Sequence, residues 1–356
     1  MTYGERILRR LGGRGPGLER AGGGALDPAG RAEMLRAHLA RAAADGDLAA
    51  RVCADARAGL DRLAAEGAAA ALSPAMLVGL EAVILADGSR PALILRDGRL
   101  DPEDPDLGDW AGRAMGARLA IARVAASVGR VNLPAAEQGY VGTAFAVGDG
   151  LVATNRHVLE ALADPCPAAP GGWRLKPGAA VDFLAEKDRA PDPARVFAVA
   201  AVAWAAPDPI AGVVDPAKLD LALLRLAPGT GPFPPKLTLA QADPAPDAAL
   251  YVLGFPGRPA PGAESAAVLE RLFAHVYGVK RWAPGHVELA LGAVAGDADP
   301  QWTFGHDAST LGGNSGACVV DLADGETVIG LHFGGRRRLQ NYAHAVARIL
   351  PHLAAA

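Results

Sequence analysis

Two polar residues lie beside apolar runs, where the fold would hold them firmly. His157 follows the apolar run 151–153, and Asp220 precedes the apolar run 221–224. A histidine at the end of a strand is fixed by the sheet yet open to a cleft, as a general base must be. A buried carboxylate needs a hydrogen-bond donor, and an imidazole N–H is its usual partner because the carboxylate fixes the tautomer and stabilises the imidazolium. Proton transfer by a histidine–carboxylate pair is the chemistry that these residues predict.

A third polar residue, Ser315, lies in the glycine-rich segment 312–316 (GGNSG). Glycines on both sides let the backbone turn tightly, so that the hydroxyl is presented outward. The N–H groups of Gly313 and Ser315 would then converge on one point and form an oxyanion hole. Each candidate also has a plainer interpretation: His157 as a surface histidine, Asp220 as an exposed strand-edge aspartate, and the serine segment as a simple turn.

The elements that must position these residues are short strands. From about residue 128 onward, short apolar runs alternate with Gly, Pro and Asp, which is typical of an all-β barrel or sandwich. Residues 142–147 and 151–154 flank a Gly-Asp-Gly turn and predict a hairpin, and its second strand leads directly into His157. Residues 128–356 are long enough for a double barrel.

Taken together, the segments resemble the trypsin-like (chymotrypsin-fold) serine proteases over residues 142–349. Residues 143–145 with 154–158 resemble the histidine block of that family, 220–224 its aspartate block and 312–316 its serine block. The order His, Asp, Ser is that of this family and not of subtilisins or α/β-hydrolases. The resemblance implies an all-β double six-stranded barrel, a protein or peptide substrate, and neither a cofactor nor a metal ion.

The resemblance also implies a role for each residue. Ser315 would attack the scissile carbonyl, His157 would take and return the proton, and Asp220 would orient His157. The N–H groups of Gly313 and Ser315 would hold the oxyanion, a contribution of about 3 to 4 kcal/mol per donor. Asn314 stands where the digestive members carry an aspartate that pairs with a newly cleaved N-terminus. Because asparagine cannot form that ion pair, activation by N-terminal clipping is not expected.

The Asn-Ser pair and its flanking segments are similar to bacterial glutamyl endopeptidases and HtrA-type proteases. In the glutamyl branch, the positions of Thr310, His332 and Gly334 line the substrate pocket. A hydroxyl and an imidazole there would hydrogen-bond a substrate carboxylate, and the three arginines 336–338 would raise the positive potential. These residues predict cleavage after Glu or Asp. The alternative is that His332 is a pocket-wall residue and that the arginines form a solvated loop.

The first third of the chain has a different pattern. Residues 1–27 are rich in glycine and predict a flexible leader, whereas 28–127 predict a helical regulatory or adaptor domain with a connector. Apolar residues recur there at helical spacing, helix starts are indicated at Asp27–Pro28 and Ser73–Pro74, and a further helix is predicted over 109–126. The alternative is a packing extension that only covers one face of the barrels.

Composition limits the possible partners. Hydrophobic residues make up 51% of the 356 residues and charged residues 21%, so most of the chain is expected to fold. A net charge of -4 argues against nucleic acid as a partner. The three cysteines, Cys53, Cys166 and Cys318, lie far apart and predict neither a disulfide framework nor a zinc site. With no secretory signal and no membrane-spanning run in the sequence, a cytoplasmic protein is expected.

The leading hypothesis is an intracellular serine endopeptidase gated by a partner or signal through residues 28–127. Such an arrangement resembles bacterial multi-gene defence systems in which a sensor controls a protease. A catalytically silent binding or scaffold module with a protease fold is the alternative. His306 is interpreted as structural, His344 as isolated, and Cys318 as a small core residue.

Overall fold

The described residues form two compact units. The computed structural model describes residues 7–8, 11, 27–41, 46–86, 90–210, 214–260, 269–297, 301–336 and 340–354. The first unit comprises residues 1–91 and 260–275, and the second comprises 92–259 and 276–356. The first unit is therefore discontinuous in sequence, and the chain passes between the units at three places.

The first unit is helical. Its helices are α1 (Pro28–Arg41), α2 (Gly46–Glu66) and α3 (Pro74–Ala86), with a short 3₁₀ helix at Gly67–Ala69 and a π-helical turn at Leu269–Phe273. Ser73 caps α3 by accepting a hydrogen bond from the N–H of Met76 at 3.2 Å, and Pro74 stands at the first helical position. This confirms the predicted helices in the N-terminal region. None of the described helices is long and apolar enough to cross a membrane.

The core of the helical unit includes residues from the predicted leader. Ile7, Leu8 and Leu11 are buried, and the Leu11 N–H donates to the Ile7 carbonyl at 2.9 Å. They pack with apolar residues of the three helices, namely Leu35, Cys53, Ala56, Leu60, Leu63, Leu80 and Val83. Helical spacing of the three apolar residues explains why they fold against the bundle. The Gly-rich residues 12–26 lie outside the described residues.

Residues 92–127, predicted as a connector within the N-terminal domain, belong to the barrel unit. They form strand β1 (Leu93–Ile94), a 3₁₀ segment (Pro105–Trp110), α4 (Ala111–Gly116) and α5 (Arg118–Ala125). Their apolar side chains are buried in the core of the barrels, namely Leu95, Leu107, Trp110, Ile121 and Val124. The sequence places the boundary where strands begin, whereas the compact units meet at Pro91–Ala92 because burial against the barrels groups this segment with them.

The first barrel is closed and antiparallel. Its region contains β2 (Val128–Asn132), β3 (Tyr140–Gly148), β4 (Leu151–Thr154), α6 (Arg156–Leu162), β5 (Ala163–Pro165), β6 (Trp173–Leu175), β7 (Ala180–Asp182), β8 (Val196–Ala205) and β9 (Ala222–Leu226). The strand order is β2-β3-β4-β9-β8-β7, and β5 pairs with β6 outside the barrel. Short 3₁₀ helices lie at Pro170–Gly172 and Pro193–Arg195. The predicted hairpin corresponds to β3 and β4.

The second barrel completes the fold. Its elements are β10 (Thr238–Leu239), β11 (Ala249–Gly254), β12 (Arg281–Leu289), β13 (Thr303–His306), β14 (Cys318–Asp321), β15 (Thr327–Arg336), β16 (Gln340–Ala345) and α7 (Val346–Ala354). The order β12-β11-β14-β15-β16-β13 is closed by the pairing of β13 with β12, while β1 and β10 pair with β12 and β15. The predicted all-β double six-stranded barrel is confirmed.

Candidate active site

His157 and Asp220 are brought together by two paired strands. Thr154 at the end of β4 is in register with Ala222 at the start of β9, so the residues just beyond each strand are neighbours. His157 Nδ1 lies 2.6 Å from Asp220 Oδ2, and the His157 backbone N–H donates to Oδ1 at 3.0 Å. The Asp220 side chain is 3% exposed and the His157 side chain 31%, so the carboxylate is enclosed while the imidazole can be reached from solvent.

The serine segment requires its two flanking glycines. Gly313 has φ +89° and Gly316 has φ +86°, a conformation that residues with a side chain rarely adopt. A Cβ on Gly313 would lie 2.5 Å from the Phe255 carbonyl oxygen, and one on Gly316 would lie 2.0 Å from the Thr143 carbonyl oxygen. Because these carbonyl oxygens belong to the backbone and cannot move away without disturbing the fold, the loop that carries Ser315 requires glycine at both positions.

The peptide between Gly312 and Gly313 has a defined orientation. The Gly312 carbonyl accepts a hydrogen bond from the Gly257 N–H at 2.5 Å. Because a trans peptide is planar, the Gly313 N–H points to the opposite side. Asn314 uses its own N–H within the loop, donating to the Leu311 carbonyl at 3.1 Å. Among the described residues, neither the Gly313 nor the Ser315 N–H donates to a protein acceptor. Both are available to an external acceptor.

Thr143 on β3 connects the first barrel to the serine segment. Its N–H donates to the Ser315 carbonyl at 2.8 Å, and its hydroxyl donates to the Gly313 carbonyl at 2.8 Å. The same hydroxyl accepts from the Phe255 N–H at 3.2 Å. One threonine therefore holds both residues with the available N–H groups. The sequence singled out this position only as part of a block, because its partner lies 170 residues away for one of these bonds.

Thr310 has a partner that the sequence did not indicate. Its hydroxyl donates to Asn341 Oδ1 at 2.9 Å, and Asn341 Nδ2 donates to the Ala308 carbonyl at 2.7 Å. Asn341 is in register with Gly335 on the neighbouring strand, where a Cβ would lie 2.3 Å from Asn341 Oδ1. The only signal for it would have been the register of β16 with β15.

His332, on β15, is buried against a second histidine. Its Nδ1 lies 3.1 Å from His306 Nε2, with the two rings edge to face. Burial, and secondly the neighbouring His306 and His157, hold the pKa of His332 well below its usual range. His332 is therefore neutral at neutral pH. His306 is fully buried in β13, in agreement with its structural interpretation.

The remaining pocket candidates differ in how far the structure describes them. Gly334 lies on β15, where a Cβ would be 2.8 Å from the Val214 side chain. The side chains of residues 336–338 lie outside the described residues.

Cys318 is buried in β14, and burial raises the pKa of its thiol to about 12. In the described ranges, no group of three or more His, Cys, Asp or Glu residues could hold a metal ion.

Comparison with known proteins identifies the family. The sequence profile of the trypsin-like peptidase domain matches residues 142–331. A probable serine protease from Lysobacter enzymogenes is 34% identical over 285 residues, which cover 75% of this chain and 72% of that protein. The chain belongs to the trypsin-like serine peptidases. The resemblance predicted from the histidine, aspartate and serine segments is confirmed.

Two solved structures are also similar to this trypsin-like peptidase. The active form of a Mycobacterium tuberculosis protease is 21% identical, with 68% of this chain and 85% of that chain covered and a TM-score of 0.42. Neuropsin, a serine protease of mouse brain, is 14% identical, with 65% and 94% covered and a TM-score of 0.45.

Family membership makes this trypsin-like peptidase a serine endopeptidase that acts on proteins or peptides. The geometry brings His157 next to Asp220, as the sequence predicted. It places Thr310 against Asn341 and His332 against His306, neither of which was predicted as a pair.

Proposed function

We propose that the protein cleaves peptide bonds through an acyl-enzyme on Ser315, with His157 as general base and Asp220 as its orienting carboxylate. The observation that carries the proposal is the 2.6 Å contact between His157 Nδ1 and Asp220 Oδ2, with the carboxylate enclosed. Such a carboxylate keeps the proton on Nδ1 and leaves Nε2 able to accept one.

The proposed reaction proceeds in two halves. Ser315 Oγ attacks the carbonyl while its proton passes to His157 Nε2, and the resulting imidazolium is stabilised by Asp220. The oxyanion accepts hydrogen bonds from the N–H groups of Gly313 and Ser315, each worth about 3 to 4 kcal/mol. His157 then protonates the leaving amine, and water attacks the acyl-enzyme by the same route. The available N–H groups and the Gly312–Gly313 peptide, whose N–H points away from Gly257, support this assignment.

A fluorophosphonate probe tests the proposal without knowledge of the substrate, because it reacts with an activated serine. Intact-mass measurement should show one adduct per chain, and peptide mapping should place it on Ser315. A catalytically silent scaffold would give a folded protein with no adduct. An adduct on another serine would contradict the assignment of the nucleophile.

We also propose that the pocket prefers Glu or Asp at the cleaved position. The family resemblance supports this proposal, because the positions of Thr310, His332 and Gly334 line the substrate pocket in the glutamyl branch. The structure adds a hydrogen bond that positions the Thr310 hydroxyl. Asn341 holds the Thr310 hydroxyl in place, and the hydroxyl can turn from Asn341 toward a substrate carboxylate. A carboxylate beside neutral His332 would favour proton uptake by that imidazole, forming a charge-assisted hydrogen bond.

A peptide library tests the acidic preference. Cleavage after Glu should exceed cleavage after the isosteric Gln, and Thr310→Val should reduce kcat/KM for the Glu peptide about 10- to 100-fold, since a hydrogen bond to a charged group contributes about 1.5–3 kcal/mol. The Gln peptide is the matched control and should respond less to the same variant. Cleavage mainly after large apolar or basic residues would refute the preference.

Regulation through the helical part of residues 28–127 is the third proposal. Residues 260–275 belong to the helical unit, although they are inserted between β11 and β12 of the second barrel. Their π-helical turn, Leu269–Phe273, contacts α3 within that unit. The insertion leaves the barrel just after Gly257, whose N–H donates to the Gly312 carbonyl. It returns near Gly278, whose N–H donates to the Pro256 carbonyl at 2.8 Å.

A partner that binds the helical unit would therefore act on a segment that follows Gly257 closely in sequence, and the Gly257 N–H donates to the Gly312 carbonyl. By resemblance to multi-gene bacterial defence systems in which a sensor controls a protease, the proposed partner is a sensor protein of such a system. Because the Gly312–Gly313 peptide is already oriented here, loosening the helical unit should lower activity rather than raise it.

Leu60→Ala tests this coupling in the full chain. Leu60 is fully buried in α2, and its truncation should cost the helical unit about 2–5 kcal/mol. The rate of fluorophosphonate labelling should fall at least several-fold, up to the 10²-fold typical of a lost oxyanion-hole donor. Arg51→Ala, an exposed change on the same helix, is the control. Equal labelling rates for wild type and Leu60→Ala would make the helical unit a passive extension.

A further inference from the structure

The main chain of Asp220 is held from both barrels. Its N–H donates to His344 Nε2 on β16 at 2.9 Å, and its carbonyl accepts from Asn155 Nδ2 at 2.8 Å. Its two carboxylate oxygens accept from the backbone N–H and the imidazole of His157. Every polar group of this buried aspartate thus has a partner, and His344 supplies the one from the second barrel.

The contact with Asp220 defines the state of His344. Nε2 can accept a hydrogen bond only when it carries no proton, so the proton belongs on Nδ1. Nδ1 faces the Thr303 hydroxyl at 3.4 Å, and that hydroxyl faces the Pro216 carbonyl at 3.4 Å. Burial lowers the pKa of His344 to about 4, against the opposing effect of the Asp220 charge. The ring is therefore neutral at neutral pH and keeps its acceptor lone pair.

Two aromatic rings contact the ring of His344. Phe333 stacks on it with ring centroids 4.2 Å apart and planes 12° from parallel, and Trp302 meets it edge to face at 6.1 Å. The Trp302 indole N–H also donates to the Pro216 carbonyl at 3.1 Å. The second barrel consequently holds the segment that leads to Asp220 at two places, Pro216 and Asp220 itself.

We infer that His344 is a positioning residue for the proposed catalytic pair: its Nε2 anchors the Asp220 backbone, which sets the place of the carboxylate that holds His157. This inference rests on the proposed function. Asp220 is in the first-barrel segment before β9, whereas the proposed nucleophile, Ser315, is in the second barrel. A bond from His344 to Asp220 therefore fixes the carboxylate relative to the barrel that carries Ser315.

Two substitutions distinguish the effect of the Nε2 acceptor of His344 from the effect of its aromatic ring. His344→Phe keeps an aromatic ring against Phe333 but removes the acceptor, whereas His344→Gln removes the ring and extends an amide oxygen about as far as Nε2. His344→Phe should lower kcat about 30- to 100-fold with KM changed less than about 3-fold, the scale of a 1 Å misplacement in an active site. His344→Gln should restore kcat to within about 5-fold of wild type.

Amide hydrogen exchange at Asp220 provides a readout that does not depend on activity. In the full-length protein, the Asp220 N–H should exchange at least 10-fold faster in His344→Phe than in wild type or His344→Gln, while core amides of the second barrel stay protected. Leu322→Ala, a large-to-small change in the core, controls for general destabilisation. Thr303→Val, which removes the partner of Nδ1, should give a smaller loss of kcat and is available if His344→Phe does not fold.

The outcomes are distinguishable. Wild-type protein that hydrolyses peptides, with His344→Phe within 3-fold of it in kcat, would overturn the positioning role. Equal losses in His344→Phe and His344→Gln would also overturn it, because packing and not the acceptor would then matter. If His344→Phe does not fold, Thr303→Val with unchanged kcat and unchanged Asp220 exchange would overturn it as well. Wild-type protein that neither hydrolyses peptides nor labels at Ser315 would overturn the proposed function, whereas the Asp220 exchange rates would still decide whether His344 anchors that backbone.

Discussion

Ser315→Ala is expected to lower kcat by about six orders of magnitude for any peptide that the wild type cleaves, because in the proposed mechanism the nucleophile, the base and the orienting carboxylate act as a unit. The fold should survive the change. The contacts that hold the loop here are made by the backbone: the Ser315 carbonyl accepts from Thr143, and the Gly316 N–H donates to the His332 carbonyl at 2.9 Å. Alanine keeps both.

The measurement is hydrolysis of a fluorogenic peptide together with thermal unfolding of both proteins. Thr238→Ala, which removes an exposed hydroxyl on β10, is a matched control and should retain wild-type kcat. Cleavage at more than a thousandth of the wild-type rate by a well-folded Ser315→Ala protein would exclude Ser315 as the nucleophile, after contamination is removed by repeated purification.

The parts of the site that the sequence predicts are those with local signals. His157 comes three residues after a strand of a recognisable hairpin, Asp220 precedes an apolar run, and Ser315 lies among glycines. Each of these contexts spans fewer than ten residues, so period and turn chemistry suffice to place the residue at the end of an element. The short apolar runs predict an all-β barrel or sandwich, and the resemblance to the trypsin-like proteases is what implies the double barrel.

The supporting residues have no such local signal. Asn155 contacts a residue 65 positions away, and His344 contacts one 124 positions away. Such pairs depend on strand register and on how two barrels meet, and a shift of one residue would turn each side chain to the other face. For this reason, the sequence indicates no partner for His344, although the structure places it against Asp220.

The domain boundary shows a second limit of local patterns. The helix predicted over 109–126 separates the connector from the strands that follow, but only burial in the barrel core shows that residues 92–127 belong to the barrel unit. Residues 260–275 present the converse case, since they lie within the barrel sequence yet join the helical unit. A discontinuous unit has no compositional signature, because composition along the chain does not report which distant segments pack together.

Asp220→Asn is expected to lower kcat by about four orders of magnitude at neutral pH, with little change in fold, since carboxamide and carboxylate have the same shape. The reason is the tautomer of His157. An asparagine can turn its NH₂ group toward Nδ1, which then becomes the acceptor, so that the ring proton moves to Nε2. An Nε2 that already carries a proton cannot take one from Ser315. The Asp220 backbone would keep its bonds to His344 and Asn155, because the substitution changes neither its N–H nor its carbonyl.

Amide exchange at residue 220 distinguishes Asp220→Asn from His344→Phe, although both substitutions should weaken the His157–Asp220 pair. Asp220→Asn should leave the exchange of the residue 220 amide unchanged while abolishing most turnover, whereas His344→Phe should accelerate that exchange with a smaller loss of kcat. Asp149→Asn, an exposed carboxylate in the β3–β4 turn, is the matched control and should keep wild-type kcat. A loss of less than 10-fold in Asp220→Asn would mean that His157 does not depend on the carboxylate for its tautomer, and the 2.6 Å contact would then be structural rather than part of proton transfer.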